Sequence, residues 1–433
     1  MEFQTTAPPI GGVRDRAPQN VQKFEKESFH RWYNFILGFS DVLVAEVLNE
    51  LSVGSNATVL DAFCGTGTTL VECGKRGIKT VGIDANPFAI FAARTKSQYH
   101  LDPDRVRTNA TNVKRRYKQL VSSNRRFSSD NTYLYLSESG MLDRGWISKK
   151  PLRKALALKE AINLCRDVAS RDALLLALLA DLPTNIGNMR FGPQIYVGAI
   201  KQDVDPLIYF SSRVAAICAD LEEEGRESFE PTTAIVGDSR NLKPTLKKHY
   251  GENIPAIDFV ICSPPYPTEH DYTRHTRLEL AFLDKVESRI GLQSIKRTMI
   301  RSHTKGIYKG DVDPFRVKNL RSVEDLASRV QLAVAGKISG FEKLYPTVVR
   351  SYFGGMKCHF GSLFRLMRSG GKAAYVVGDQ AAYLRVPIRT AALLGETAES
   401  AGFRVREIKL WRRRWASAIS EYLDENILIL EKP

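Results

Sequence analysis

A short turn of polar, cyclic and aromatic residues follows an apolar, β-branched run in the second half of the chain. It consists of Ser263, Pro264, Pro265 and Tyr266. Each proline has a fixed φ and no amide hydrogen, so the turn cannot extend a strand, and its carbonyls point in a set direction. The Ser263 hydroxyl and the Pro264 carbonyl could accept both hydrogens of an amino group on a flat ring, and Tyr266 could stack on that ring. With its hydrogens held in this way, the amino nitrogen becomes a nucleophile.

The run before this turn, residues 258–262, is typical of a strand that is buried on both faces of a sheet. Open parallel sheets bind their ligands at the carboxyl ends of the strands, which is where this turn would lie. Short motifs often occur by chance, however, so the turn taken alone favours a purely structural role.

A second cluster, at residues 58–84, combines a strand, a glycine-containing turn, a helix and another strand. Its candidate binding residues are Asp61, Phe63, Gly65, Gly67, Thr68 and Asp84. The two glycines allow positive φ and let the backbone come close to a ligand. Asp84 ends the second strand, close to the ~20 residues after the first glycine at which an acid accepts ribose hydroxyls. The cluster therefore predicts a nucleoside site. Its glycines match neither GxGxxG nor GxxxxGK[ST], which disfavours a dinucleotide and a triphosphate.

The motifs FCGTG, GID and SPPY, in this order, resemble those of the amino-group DNA methyltransferases. That family makes N4-methylcytosine or N6-methyladenine from S-adenosyl-L-methionine. The resemblance implies an α/β fold with a class I, Rossmann-like S-adenosylmethionine-dependent methyltransferase sheet. It also implies that the glycine turn binds the cofactor and that SPPY binds a flipped base. Serine at the first position of SPPY is associated more with N4-cytosine, and adenine N6 stays the alternative.

Further segments share this resemblance. Residues 29–33 and 39–40 look like the family segment that closes over the methionine part of the cofactor, which implies contacts from Trp32 and Tyr33. Asp238, after another predicted strand, looks like the acid that receives the adenine amino group of the cofactor. A helix cap is an equally good interpretation of that aspartate.

The predicted elements divide the 433 residues into four segments. They are a flexible arm at 1–22, the first part of a catalytic domain at 23–98, a mainly helical insertion at 99–232, and the second part of the catalytic domain at 233–433. The insertion is inferred because roughly 130 residues separate the second strand from the next, far more than an ordinary crossover needs. In the resembled family such an insert commonly recognises the target sequence.

The last segment contains two features of uncertain purpose. Residues 284–344 are predicted to form an irregular, basic region. This region is the alternative to the insertion as the segment that recognises the target sequence. Residues 403–410 and 426–430 are predicted to form a terminal antiparallel hairpin. Between these strands lies the sequence Trp-Arg-Arg-Arg-Trp, residues 411–415, which would either grip phosphates or cap the hairpin.

The net charge of +15 points to a polyanionic partner, and the resemblance identifies it as double-stranded DNA. The candidate DNA-binding residues are Lys114, Arg115, Arg116, Arg125, Arg126, Arg274, Arg297, Arg301 and Lys305. A solvated helix face is the alternative for any one of them.

Six cysteines show no CxxC spacing, so we expect neither a zinc site nor a disulfide framework, in a reducing, prokaryotic cytoplasm. No Pro-Cys dipeptide occurs, which leaves C5-methylation of cytosine without a candidate nucleophile. The longest apolar run is far too short to span a bilayer and no signal peptide is evident, so we expect no membrane association. A cognate restriction endonuclease, encoded separately, would be a natural partner.

The predicted reaction is direct methyl transfer to the extruded base, without a metal or a covalent intermediate. Two other functions stay open. An RNA amino-methyltransferase would use a similar turn but would be expected to carry an appended RNA-binding module, and none is recognisable. A catalytically silent nucleic-acid-binding module would be expected to have lost cofactor residues, whereas Gly65, Gly67, Asp84 and the whole SPPY motif are present.

Overall fold

The computed structural model describes residues 27–35, 38, 40–123, 125–191, 195–225, 229, 232–268, 270–336, 340–416 and 419–433. The predicted arm at 1–22 lies outside the described residues, as does Phe39 of the predicted cofactor segment.

The regular elements alternate between strands and helices at both ends of the chain. The helices are α1 (Asp41–Glu50), α2 (Thr68–Lys75), α3 (Pro87–Lys96), α4 (Pro103–Ser122), α5 (Asn131–Glu138), α6 (Lys149–Asn163), α7 (Val168–Asp181), α8 (Pro206–Glu224), α9 (Leu242–Tyr250), α10 (Tyr272–His275), α11 (Arg277–Phe282), α12 (Arg289–Arg297), α13 (Arg321–Val334), α14 (Tyr345–Phe364) and α15 (Thr390–Glu399). The strands are β1 (Thr58–Asp61), β2 (Lys79–Asp84), β3 (Met189–Phe191), β4 (Ile195–Val197), β5 (Thr232–Val236), β6 (Ile257–Cys262), β7 (Met367–Gly378), β8 (Arg404–Ala416) and β9 (Glu421–Glu431).

Seven of the strands form one mixed sheet in the order β5-β2-β1-β6-β7-β9-β8. The first five of these pair in parallel, and β9 lies antiparallel between β7 and β8. Successive strands run outward from β1 on one side and from β6 on the other, so the order reverses where β1 pairs with β6. Such a reversal opens a crevice at the carboxyl ends of the two strands. The glycine turn follows β1 and the SPPY turn follows β6, so both lie at this crevice.

Apolar side chains from helices cover both faces of the sheet, which buries all of β1 and most of β6. On one face, Leu43 and Val47 of α1 pack in a cluster with Ile261 of β6. On the other face, Phe353 of α14 packs in a cluster with Val260 of β6. The continuous apolar pattern of residues 258–262 predicted this two-sided burial because strands covered on both faces do not alternate with polar residues.

The helices between β2 and β5 form most of a second apolar core, to which Trp32 and the apolar residues of α11 also belong. Helices α4 to α8 fill most of the chain between Pro103 and Glu224, with the small hairpin β3–β4 between α7 and α8. The division of the chain into domains with separate functions stays a prediction.

The buried carboxylate of Asp220 in α8 attaches the segment before α1 to this second core. It accepts hydrogen bonds from the Phe29 amide at 2.9 Å and from the Trp32 indole at 2.8 Å, and it pairs with the Arg31 guanidinium. A buried carboxylate is tolerated only when its oxygens are satisfied in this way. Asp220 therefore sets the position of residues 29–32.

Two local predictions need correction. The strands of the terminal hairpin are longer than predicted, and residues 411–415 lie inside β8 instead of between the two strands. The pairing of β8 with β9 extends from Arg404 to Ala416, with register shifts at Arg406 and Trp411, and it satisfies most of the backbone of this charged stretch, so the composition does not break the strand. Residues 284–344 are not irregular throughout, because they contain α12 and α13.

Replacing Asp220 by asparagine removes the charge and turns an amide donor toward groups that already donate. We expect the free energy of unfolding to fall by about 2–4 kcal/mol, as for other buried pairs that lose one partner. Urea unfolding of the purified protein measures this loss. Glu222→Gln, on the exposed side of the same helix and paired there with Arg107, is the matched control and should cost no more than about 1 kcal/mol. Equal losses in the two variants would contradict the anchoring role of Asp220.

Candidate active site

A cavity of about 330 Å³ lies at the crevice between the ends of β1 and β6. Its wall joins the two motifs that the sequence predicted to act together: Phe63, Gly65, Thr68 and Asp84 on one side, and Ser263, Pro264, Pro265 and Tyr266 on the other. No described residue between 99 and 232 lines it, so the insertion stands apart from the cavity wall.

The glycine turn is held against the end of β2 by the carboxylate of Asp84. One Asp84 oxygen accepts the Gly65 amide at 3.0 Å, and the other accepts the Asn86 amide at 2.8 Å. Burial raises the pKa of Asp84 above its ordinary value. Gly65 has a φ of +49°, and no atom lies within 4 Å of the position that a Cβ would take there. The backbone of the turn is therefore open on its cavity side, with an acid beside it.

Asp61 and Gly67 shape this turn from behind. The Asp61 carboxylate is completely buried and accepts the Phe63 amide at 3.0 Å and the Thr69 hydroxyl at 2.6 Å, while burial raises its pKa to about 7. Gly67 has a φ of +88°, and a Cβ there would lie 2.9 Å from the Cβ of Ala93 in α3. Neither Asp61 nor Gly67 lines the cavity.

The SPPY turn is held in place by hydrogen bonds to one tyrosine and one glutamate outside it, and by one hydrogen bond within it. The Tyr266 amide donates to the Tyr272 hydroxyl at 3.1 Å, which fixes the end of the turn. The Tyr266 hydroxyl donates to Oε1 of Glu425 at 3.2 Å and accepts a weak hydrogen bond from the Ser263 hydroxyl at 3.4 Å. Burial, reinforced by the Glu425 charge, raises the pKa of Tyr266, so its hydroxyl stays protonated at neutral pH.

Glu425, in β9, is a site residue that the sequence analysis missed. Its other oxygen pairs with the guanidinium of Arg412, which stands directly opposite in β8. Arg412 and Arg414 both line the cavity, so part of the Trp-Arg-Arg-Arg-Trp stretch belongs to its wall. The alternation of acids and bases across the hairpin was the available signal, but it identifies no site without the strand register.

The remaining predicted cofactor residues lie behind the cavity wall. Trp32 is buried against α8, and Tyr33 is buried with its hydroxyl donating to Glu279 at 2.6 Å. Of their described neighbours in the chain, Phe35, Gly38 and Ser40 line the cavity instead. Asp238 caps the short 3-10 helix Ser239–Asn241 and pairs with Arg240, so the predicted alternative of a cap is present.

A strap formed by residues 296–306 covers one side of the cavity. Its position depends on Asp271, which pairs with Lys296 of the strap, accepts the Thr273 hydroxyl at 2.6 Å and lies 3.9 Å from His303. Burial alone would raise the pKa of Asp271, but Lys296 and His303 outweigh it and hold this pKa well below the usual range. Burial also lowers the pKa of His303 to about 4.

Arg301, a predicted DNA contact, serves the strap itself. It is buried, makes two hydrogen bonds of 3.0 Å to the Asp311 carboxylate, and donates to the carbonyls of Lys296, Arg297 and Met299. With this set of partners, its guanidinium organises the loop.

The other predicted DNA contacts form two separate groups. One group lies on and just after α4, where Arg115, Arg116, Arg125 and Arg126 are exposed and Lys114 is half-buried. Arg116 donates to the Leu164 carbonyl, and Arg125 pairs with Glu160. The second group consists of Arg274, Arg297 and Lys305, which are exposed. Two of them, Arg297 and Lys305, belong to the strap, next to residues that line the cavity.

Among the described residues, no group of three or more histidine, cysteine, aspartate or glutamate side chains could hold a metal ion. Nor is any helix within the described ranges both long and apolar enough to cross a membrane.

Comparison with known proteins agrees with the motif pattern. A family model described as DNA methylase matches residues 19–94. The type II methyltransferase M.BsoBI of Geobacillus stearothermophilus is 24% identical over 452 residues, which cover 96% of this chain and 87% of the relative. The type II methyltransferase M.AvaI of Nostoc sp. is 24% identical over 402 residues, or 88% of this chain and 80% of the relative. M.MjaII of Methanocaldococcus jannaschii is 48% identical over only 40 residues, 9% of this chain and 8% of the relative.

Asp271→Asn tests how the strap is held. Since the pKa of Asp271 is lowered in the folded state, its charge stabilises the fold fully above its ordinary pKa of about 4, and this contribution is lost only as the pH falls from there through the much lower pKa of the folded state. We expect the variant to lose about 2–3 kcal/mol at pH 7 and clearly less at about pH 2, measured by urea unfolding. Hydrogen exchange should accelerate in residues 296–306.

The control is Asp325→Asn, which removes an exposed acid 4.0 Å from Arg321 and should change stability by less than about 0.5 kcal/mol at either pH. A loss in Asp271→Asn that is equally large at both pH values would show that the charge of Asp271 is not what holds the strap.

Proposed function

Because the chain belongs to the family of amino-group DNA methyltransferases, we propose that it transfers a methyl group from S-adenosyl-L-methionine to the N4 amino group of a flipped cytosine in DNA. The observation that carries this proposal is the shared cavity, whose wall contains the glycine turn with Asp84 and the complete SPPY turn. A methyl donor on the first side and an amine on the second would meet inside it.

The residues of the glycine turn fit such a cofactor. The turn exposes backbone on its cavity side at Gly65, and the Asp84 carboxylate in the wall can accept hydrogen bonds from ribose hydroxyls. When bound, S-adenosylmethionine supplies a methyl group on a positively charged sulfur, which makes that carbon a good electrophile. The five parallel strands and the antiparallel β9 support a class I, Rossmann-like methyltransferase sheet.

The SPPY turn fits the amine. The Ser263 hydroxyl and the Pro264 carbonyl accept its two hydrogens, and Tyr266, tied to Glu425, offers its ring for stacking. Methyl transfer from a bound S-adenosylmethionine would replace the sulfur–carbon bond by a nitrogen–carbon bond and would release a neutral thioether. Ser263 is a poor base, and water takes the proton that the nitrogen then releases. Orientation of this kind can lower the activation free energy by up to ~7–11 kcal/mol.

The partner is double-stranded DNA, in keeping with the net charge of +15. We assign the phosphates beside the flipped base to Arg297 and Lys305 of the strap, because their neighbours line the cavity. The insertion, with its basic α4, would contact DNA farther from the reaction and read the target sequence. We place the enzyme in a prokaryotic cytoplasm, where a separately encoded restriction endonuclease would recognise the same sequence.

Mass spectrometry of nucleosides tests the reaction and the base together. Plasmid DNA from a methylation-free host that expresses the wild type should contain N4-methylcytosine. Tyr266→Ala should lower its amount by about 10- to 100-fold, since stacking of a base on an aromatic side chain is worth ~1–3 kcal/mol. Phe315→Ala, which removes an exposed aromatic ring that does not line the cavity, should leave the product unchanged.

The appearance of N6-methyladenine would keep the mechanism and overturn the choice of cytosine. Unmodified DNA from a protein that still binds S-adenosylmethionine would refute DNA methylation and direct attention to RNA.

The role of the strap cations can be measured by DNA binding. Arg297→Gln combined with Lys305→Gln should weaken binding by a similar factor for all sequences and lower the slope of log K against log salt by about 2. Fluorescence anisotropy over a range of salt concentrations gives this slope. The control removes the same charge from the exposed side of α9, with Lys243→Gln and Lys248→Gln, and should leave the slope within about 0.5 of the wild type. An identical slope in the strap variant and the wild type would exclude phosphate contacts there.

A further inference from the structure

Lys96, at the end of α3, is a buried cation without an acidic partner in the described part of the chain. Lys96 is only 2% exposed, and its ammonium donates a hydrogen bond to the Thr66 hydroxyl at 3.4 Å. Buried lysines are rare and are ordinarily paired with a carboxylate. Lys159 shows the ordinary case: it is 6% exposed and lies 2.6 Å from Asp284.

Such an arrangement costs stability, because the ammonium has lost its water without gaining an anion. Burial lowers the pKa of Lys96 to about 7. A cation kept at this cost in a folded protein indicates that a negative group arrives from outside the chain, as at other sites where charge and burial conflict.

The position of Lys96 shows where that negative group would lie. Thr66, its partner, stands between Gly65 and Gly67 in the glycine turn and lines the cavity. Helix α3 packs directly on this turn, since a Cβ at Gly67 would touch Ala93. Lys96 itself does not line the cavity, and its ammonium contacts the wall through the Thr66 hydroxyl.

Two neighbouring residues of the glycine turn consequently contact groups of opposite charge. Asp84 accepts the Gly65 amide, while Lys96 donates to the Thr66 hydroxyl. A complementary ligand would offer hydroxyl donors to Asp84 and an anionic group to Thr66 and Lys96. A hydroxyl that accepts from an ammonium keeps its own hydrogen free to donate. Thr66 can therefore accept a hydrogen bond from the Lys96 ammonium and at the same time donate one to an anion in the cavity.

We propose that Lys96 and Thr66 form the subsite for the carboxylate at the amino-acid end of S-adenosylmethionine. This inference rests on the proposed function, because it takes the identity of the cofactor from there. The subsite distinguishes a nucleoside that carries the full amino-acid chain from one that lacks it, and it does so without contact to DNA.

Two ligands that differ in the amino-acid end test the assignment by titration calorimetry of the purified protein. S-adenosylhomocysteine carries the whole amino-acid end, whereas 5′-methylthioadenosine keeps the nucleoside and the thioether but lacks both the carboxylate and the amino group. Lys96→Met preserves the apolar stem and removes the charge. It should weaken S-adenosylhomocysteine about 10- to 100-fold and methylthioadenosine less than about threefold, as expected for a lost hydrogen-bonded charge. Thr66→Val, which keeps Lys96, should shift the ratio of the two affinities in the same direction by about three- to tenfold.

Lys159→Met is the matched control, because it removes a buried ammonium that has its own counter-ion and lies in the insertion. It should lower stability and leave the ratio of the two affinities unchanged. A Lys96→Met variant that is folded and weakens both ligands equally, or neither, would overturn the subsite while the proposed function stands. A wild-type protein that fails to bind S-adenosylhomocysteine would instead refute the cofactor, and with it both proposals.

Discussion

The parallel pairing of β1 with β6 is the constraint on which the site depends. Val59 and Leu60 stand beside Phe259 and Val260, so the two strands end at nearly the same level. Turns separated by roughly 200 residues in the chain thereby meet across one crevice, as expected where strand order reverses. The donor site and the acceptor site are built by two different turns, and the sheet alone sets the distance between them. Burial on both faces of the sheet keeps that distance fixed.

Segments far from either turn complete the wall, and each is held by a charge that another segment neutralises. Asp271 holds the strap through Lys296, and Glu425 of β9 ties Tyr266 to Arg412 of β8. Both acids are largely buried, so each pair loses much of the screening that weakens ion pairs at a surface. The aromatic ring and the strap are consequently held in place before any ligand enters.

The sequence was sufficient for the parts of the site that local chemistry determines. Buried strands, the glycine turn, the acid after β2 and the SPPY turn each carry a recognisable pattern, and the structure brings these motifs to one cavity. Trp32 and Tyr33 show the limit of this reasoning, because aromatic residues before a helix suit a lid and a core equally well. Glu425 and Lys96 could not be identified at all, since their surroundings depend on strand register and helix packing across distant parts of the chain.

The absence of described insertion residues from the cavity wall has an evolutionary consequence. If the insertion reads the target as proposed, the chemistry and the reading of sequence occupy separate parts of one chain, so recombination between β2 and β5 could exchange specificity while keeping the catalytic machinery. Asp220 limits this freedom, because it belongs to the insertion and yet anchors the segment that leads into the cavity wall. A foreign insertion would have to bring its own buried acceptor for Trp32. Relatives with different targets should therefore retain an acid at this one position of an otherwise divergent helix.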